Sequence, residues 1–178
     1  MIRTARTKLV ALTSVYAERL VTYHLENRDY FAPWEPSRLE SYYSMDYWLG
    51  HAEQAEHAAR SDTAYHFIAL LPERPQIAGL CSFTQVARGP FQACYLGYSI
   101  ASQFAGQGYM TEILEAAISH MFDQRNMHRI MANYMPSNVA SARVLQKLGF
   151  EQEGYAKQYL RIAGKWEDHV LTAKLRAE

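Results

Sequence analysis

Between Tyr95 and Leu114 the chain reads YLGYSIASQFAGQGYMTEIL. An apolar, strand-like run from Tyr95 to Ile100 gives way to a few small and polar residues, then to Gly106-Gln107-Gly108, and a helical pattern follows at once. The first amides of a helix have no partners within it, and glycine lets a ligand come close to that backbone. A strand, a glycine turn and a helix N-terminus in immediate succession predict a phosphate cradle at the end of a sheet.

The rest of the chain supplies that sheet. Beyond the turn, apolar residues fall at Met110, Ile113, Leu114, Ala117, Ile118 and Met121, a helical period with one buried stripe. Upstream, Lys8 to Leu12 reads as a short strand, Ser14 as the cap of a helix that ends before Pro33, and Met45 to Arg60 as a second helix. Strands at Tyr65 to Leu71 and Ile77 to Val86 flank the turn Pro72-Glu73-Arg74-Pro75, and Arg88-Gly89-Pro90 returns the chain into the Tyr95 run. Downstream, His128 to Met135 alternates as a strand and Pro136-Ser137-Asn138 opens a helix that Gly149 stops. Glu153 to Ile162 and Lys165 to Leu175 form a terminal hairpin turned at Ala163-Gly164. No repeat, linker or low-complexity tract interrupts this order, which predicts one mixed α/β (α+β) domain over residues 1–178, built on a mostly antiparallel sheet.

Composition excludes several classes. A chain with 49% hydrophobic and 20% charged residues reads as globular, and no segment approaches the ~20 apolar residues of a membrane span. The opening MIRTARTKLV lacks the apolar core of a secretory signal, which predicts a cytoplasmic protein. Cys81 and Cys94 lie in strand-like runs with no metal or redox spacing and read as buried thiols. The seven histidines contain no H-E-x-x-H, and no metal site is expected. A net charge of zero gives no support to bulk nucleic-acid binding, yet between Glu26 and Asp62 eight acids face three bases, a segment that would draw a cationic substrate.

The glycine turn fits neither common nucleotide motif. It has no G-x-x-x-x-G-K-[ST], and it follows an antiparallel meander where a dinucleotide fingerprint opens a parallel unit. What remains is a pyrophosphate held by backbone amides. Together with PSNVASARVLQKLGF (Pro136 to Phe150), the turn resembles the GCN5-related N-acetyltransferase (GNAT) family, whose members bind acetyl-coenzyme A. The runs FAPWEP, ACYLGYSI, HRIMANYMP, LGFEQEGYAK and WEDHVLTA resemble the branch of that family acting on the N-terminal alanine of ribosomal protein S five.

The resemblance implies a twisted sheet with splayed strands at the acetyl-coenzyme A site. It implies contacts from Tyr98, Ser99 and Ile100 to the pantetheine arm, from the loop Ala105, Gly106, Gln107, Gly108, Tyr109, Met110 and Thr111 to the pyrophosphate, from Asn138 to the coenzyme, and from Ser141 to its sulfur. Ala105 stands where the family carries a long Arg or Gln, with Gln103 and Gln107 as possible substitutes. Asn133 occupies the place of a glutamate base in some relatives and, unable to accept a proton, is expected to orient the substrate amine; Leu145 occupies that of a tyrosine acid, and the resemblance implies that the Ser141 hydroxyl donates to the departing thiolate. Glu35, between Pro33 and Pro36, is the candidate base, with Tyr30 and Trp34 as further substrate contacts. The expected reaction is direct attack of an α-amine on the thioester, with the S five N-terminus as peptide substrate. A small-amine or antibiotic acetyltransferase, and a non-catalytic ribosome-assembly module, are the alternatives; neither a membrane partner nor an oligomeric state is implied.

Overall fold

The computed structural model describes residues 1–74 and 76–177. Eight strands form a single sheet in the order β1-β2-β3-β4-β5-β6-β8-β7. They are β1 (Ile2–Arg3), β2 (Lys8–Ala11), β3 (Tyr65–Leu70), β4 (Ile77–Ala87), β5 (Ala93–Ile100), β6 (Arg129–Tyr134), β7 (Glu151–Ile162) and β8 (Lys165–Leu175). The helices are α1 (Ala17–Glu26), α2 (Arg28–Phe31), α3 (Met45–Arg60), α4 (Tyr109–Gln124) and α5 (Val139–Lys147).

Alternation along the strands sorts side chains to two faces. On one face Leu9, Ala69, Phe83, Cys94 and Ile130 pack against Ile113, Leu114, Ala117 and Met121 of α4 and Leu145 of α5. On the other, Ile68, Leu70 and Ile77 pack against Leu20 and Tyr23 of α1 and Trp48, Ala52 and Ala55 of α3. Leu114 is fully buried, so its truncation to alanine would cost ~2–5 kcal/mol. Both cysteines are buried free thiols, and burial pushes each up to about 12.

Several details differ from the sequence reading. Ser14 begins a short 3₁₀ turn, Ser14–Tyr16, and caps nothing; α1 starts at Ala17. The helix expected to run toward Pro33 divides at Asn27, whose side-chain amide donates to the Tyr23 carbonyl at 2.8 Å. Strand β1 was not foreseen: two residues carry no period. Pro75, in the turn expected after β3, lies outside the described residues, as does Glu178.

One pairing positions the site. All neighbouring strands run antiparallel except β5 and β6, which are parallel and pair only from Ala93–Tyr95 to Arg129–Met131. Beyond Tyr95, β5 continues against β4 alone, with Tyr98 opposite Cys81 and Ile100 opposite Gly79, while β6 continues against β8. The two strands therefore part, and one edge of Leu96 to Ile100 keeps its backbone groups free of a neighbouring strand. No helix among the described residues is long and apolar enough to cross a membrane.

Candidate active site

The mouth of this gap carries the glycine turn. Gly106 and Gly108 take φ of +72° and +81°, a region that side chains disfavour, and Gly108 is the residue on which α4 begins. Glu112 makes the first bond of α4, to the Gly108 carbonyl at 3.1 Å, and none of the described backbone hydrogen bonds is donated by an amide from Gly106 to Thr111. This is a run of unengaged donors at the positive end of a 16-residue helix, suited to a pyrophosphate.

The alanine at position 105 leaves the loop without a long side chain of its own there. Gln107 does not replace it, because its side-chain amide turns back to the Gln103 carbonyl at 2.6 Å. The cation nearest the loop is one the sequence reading missed. Arg6 donates from Nη1 to the Gln107 carbonyl at 3.0 Å and from Nε to Glu112 at 2.7 Å, with its guanidinium 3.9 Å above the Tyr109 ring. Its backbone N–H also donates to Glu112, at 2.8 Å. Holding the Gln107 carbonyl fixes the peptide plane that carries the Gly108 amide.

Inside the gap, Tyr98 and Ser141 meet with their hydroxyl oxygens 2.7 Å apart. Asn138 caps α5 by accepting from the Ser141 amide at 3.1 Å, so the serine sits in a fixed first turn. Burial pushes the Tyr98 phenol up to about 12, against the lowering effect of its bond to Ser141. Leu145 is buried in the core. Asn133 has both ends of its amide engaged: it donates to the Tyr159 hydroxyl at 3.2 Å and accepts from the Thr172 amide at 3.3 Å.

The far side of the gap is tied to α1. The Tyr23 and Ser99 hydroxyls lie 2.9 Å apart, and Asn27 accepts from the Ser102 amide at 2.8 Å. A cavity of about 380 Å³ lies against this tie, lined by Tyr23, Asn27, Ala101 and Gln103 among others, and a separate one of about 260 Å³, between α1, the FAPWEP loop and the β7–β8 hairpin, is lined by His24, Asp29, Phe31, Glu35 and Ala163 among others. The Ala163 amide donates to the Glu35 carbonyl at 2.9 Å, stapling hairpin to loop. Burial raises the Glu35 carboxyl above the usual carboxylate range, opposed by Arg38 at 3.3 Å. Of the three residues expected at the substrate, Glu35 lines the smaller cavity, whereas Tyr30 and Trp34 are 40% and 39% exposed and outside its lining.

Half of the eight acids in the acidic segment are paired, one of them with an arginine from outside it. Glu35, Glu40, Glu56 and Asp62 pair with Arg38, Arg28, Arg60 and Arg88, while Asp29 at the cavity makes no described ion pair. Among the described residues no group of three or more His, Cys, Asp or Glu side chains is placed to hold a metal ion.

Comparison with known proteins agrees with this geometry. Residues 6–151 match the family described as acetyltransferase (GNAT) domain. The chain is 47% identical over 157 residues to the [ribosomal protein uS5]-alanine N-acetyltransferase of Escherichia coli (strain K12), a match covering 88% of this chain and 81% of that one. It is 33% identical to a probable N-acetyltransferase of Bacillus subtilis (strain 168), over 91% of this chain and 90% of the other. Among solved structures, a ribosomal-protein-S5-alanine acetyltransferase from Vibrio fischeri superposes with a TM-score of 0.95 at 36% identity, covering 99% of this chain and 96% of that one. Mycobacterium smegmatis RimJ, solved in complex with CoA-disulfide, gives 0.91 at 26% identity, covering 98% and 86%. With the glycine turn, the parted strands and a domain match over most of its length, the chain belongs to the GNAT acetyltransferase family.

Proposed function

We propose that the protein transfers the acetyl group of acetyl-coenzyme A to the N-terminal alanine of ribosomal protein uS5. The observation that carries the chemistry is the parting of β5 from β6, with free loop amides at its mouth and the Ser141 hydroxyl inside it. The acceptor is suggested by the relatives, two of which are described as uS5-alanine or S5-alanine acetyltransferases.

In this reading the amides from Gly106 to Thr111 hold the pyrophosphate, and the open edge of Tyr98 to Ile100 pairs with the pantetheine arm as an added strand would. The coenzyme supplies an activated acetyl thioester. The protein's own residues supply position and proton transfer. An α-amine has a reference pKa of ~7.7–8.0 against ~10.4 for lysine, so a protein N-terminus arrives partly neutral and needs only a weak base. Glu35, raised by burial and lining the cavity between α1, the FAPWEP loop and the β7–β8 hairpin, takes that proton through water. Ser141 donates to the sulfur as the thiolate departs.

The test is mass spectrometry of an alanine-started peptide matching the uS5 N-terminus, incubated with the protein and acetyl-coenzyme A beside an α-blocked lysine peptide and a panel of small amines. One acetyl group on the α-amine alone is expected. Turnover of small amines with the peptide untouched would overturn the acceptor assignment, and no turnover of any amine would overturn the enzymatic reading.

A further inference from the structure

The Tyr98 hydroxyl has a task beyond lining the coenzyme groove. We propose that Tyr98 is a positioning residue for leaving-group protonation, donating to Ser141 Oγ so that the serine hydrogen points away from the protein and toward the thiolate sulfur. This rests on the reading above, in which Ser141 faces that sulfur.

The geometry selects the direction of the bond. Tyr98 Oη lies 2.7 Å from Ser141 Oγ and 3.4 Å from the Ser141 carbonyl oxygen. A serine hydroxyl has one hydrogen and two lone pairs, a phenol likewise one hydrogen. If the serine donated to the tyrosine, the phenol hydrogen would be left with a carbonyl at a distance where a hydrogen bond is weak, deep in the gap. If the tyrosine donates, it takes the short contact and the serine hydrogen is released for the ligand. The phenol, the stronger acid of the two, is also the better donor. Its elevated titration keeps it protonated through any working pH.

Both side chains stand on elements that cannot easily shift. Tyr98 is registered opposite Cys81 in the β4–β5 ladder, and the Ser141 backbone is held by Asn138. The proton count closes. The amine nitrogen bonds to the acetyl carbon, the carbon–sulfur bond breaks, and its electron pair stays on sulfur. Sulfur receives the serine hydrogen, charge developing on Oγ is met by the Tyr98 O–H, and the proton that nitrogen loses after bonding to carbon restores the serine through solvent, while the proton given up earlier by the ammonium group passes from Glu35 to bulk water. The products are amide, neutral thiol and one proton released to solvent. A donor that receives a hydrogen bond is a stronger donor, and the gain is largest as sulfur becomes anionic.

The experiment is a double-mutant cycle of Tyr98→Phe and Ser141→Ala, with kcat measured on the alanine peptide and coenzyme affinity by calorimetry. Tyr98→Phe should lower kcat about 10-fold. Ser141→Ala should lower it further, the double variant should fall no lower than Ser141→Ala, and all three should bind the coenzyme within about 3-fold of the parent. With an aryl thioester donor, whose thiolate leaves without help, the Tyr98→Phe deficit should vanish. An unchanged kcat for Tyr98→Phe, effects that multiply in the double variant, or a deficit that persists with the aryl donor would each overturn the inference while Ser141 keeps its role. An unchanged kcat for Ser141→Ala would overturn the underlying reading itself.

Discussion

A carboxylate that accepts a proton from an ammonium group must be ionised when the substrate arrives and basic enough to hold the proton afterwards. Glu35 is set between those needs by two neighbours of opposite effect. Burial raises its carboxyl, and Arg38, whose guanidinium is steadied 4.3 Å over the Tyr42 ring, draws it back. The base form is lost as pH falls through this raised value, so the acid limb of kcat/KM should lie above the ordinary carboxylate range. Arg38→Ala removes the lowering influence and should move that limb to higher pH, while Glu35→Gln should flatten it and cost about 10²-fold in kcat/KM. Superimposable pH profiles for the parent and Arg38→Ala would remove Glu35 from the proton path.

At the scale of elements, the loop between β5 and α4 works only if its amides are held outward. Arg6 holds it from a segment about a hundred residues away in sequence. Its ion pair with Glu112 is partly exposed, and such pairs contribute ~0–1 kcal/mol to stability. Arg6→Ala should therefore leave the melting temperature nearly unchanged, yet raise the KM for acetyl-coenzyme A several-fold. It should spare the KM for S-acetylpantetheine, which has no phosphates; equal losses with both donors would show that the arginine does not act through the phosphate loop. The same contact marks what could be read beforehand. The strand, turn and helix around Gly106 were legible because apolar periodicity and glycine act locally, and α3, Met45–Arg60, emerges with the expected bounds. Arg6 on Gln107, Tyr98 on Ser141 and the staple between Ala163 and Glu35 were not, because each joins residues whose separation no local pattern encodes. The division of α1 from α2 went unread for a similar reason: Asn27 is held between Tyr23 in its own helix and Ser102 across the gap.

The molecule as a whole has one sheet with a helical layer on each face, and the side of α1 and α3 holds the histidines that burial shifts furthest. His24 is 4% exposed, stacked 4.5 Å from Trp48 with its Nδ1 3.2 Å from the Tyr42 hydroxyl, and its Nε2 makes no described hydrogen bond. Burial lowers it to about 3, and likewise lowers His66, bonded to Ser82, to about 4. In the unfolded chain both titrate near 6.5. Between about pH 6.5 and 4 the unfolded state therefore binds protons that the native state refuses, so stability falls with pH through that window, by roughly 1.4 kcal/mol per unit for each such histidine. Glu35 acts in the opposite direction, since a raised carboxyl favours the folded state on acidification, but it is less enclosed than His24 and opposed by Arg38. At pH 5 the loss from His24 alone is about 2 kcal/mol, set against a typical total of ~5–15. Urea unfolding at pH 7 and pH 5 should show this drop, and His24→Phe, which keeps the aromatic stack on Trp48 without a titrating group, should shrink the difference between the two pH values by a comparable amount. An identical pH dependence in the variant would mean that the histidine charges without unfolding the layer, by opening the cavity that it lines and letting water reach Nε2.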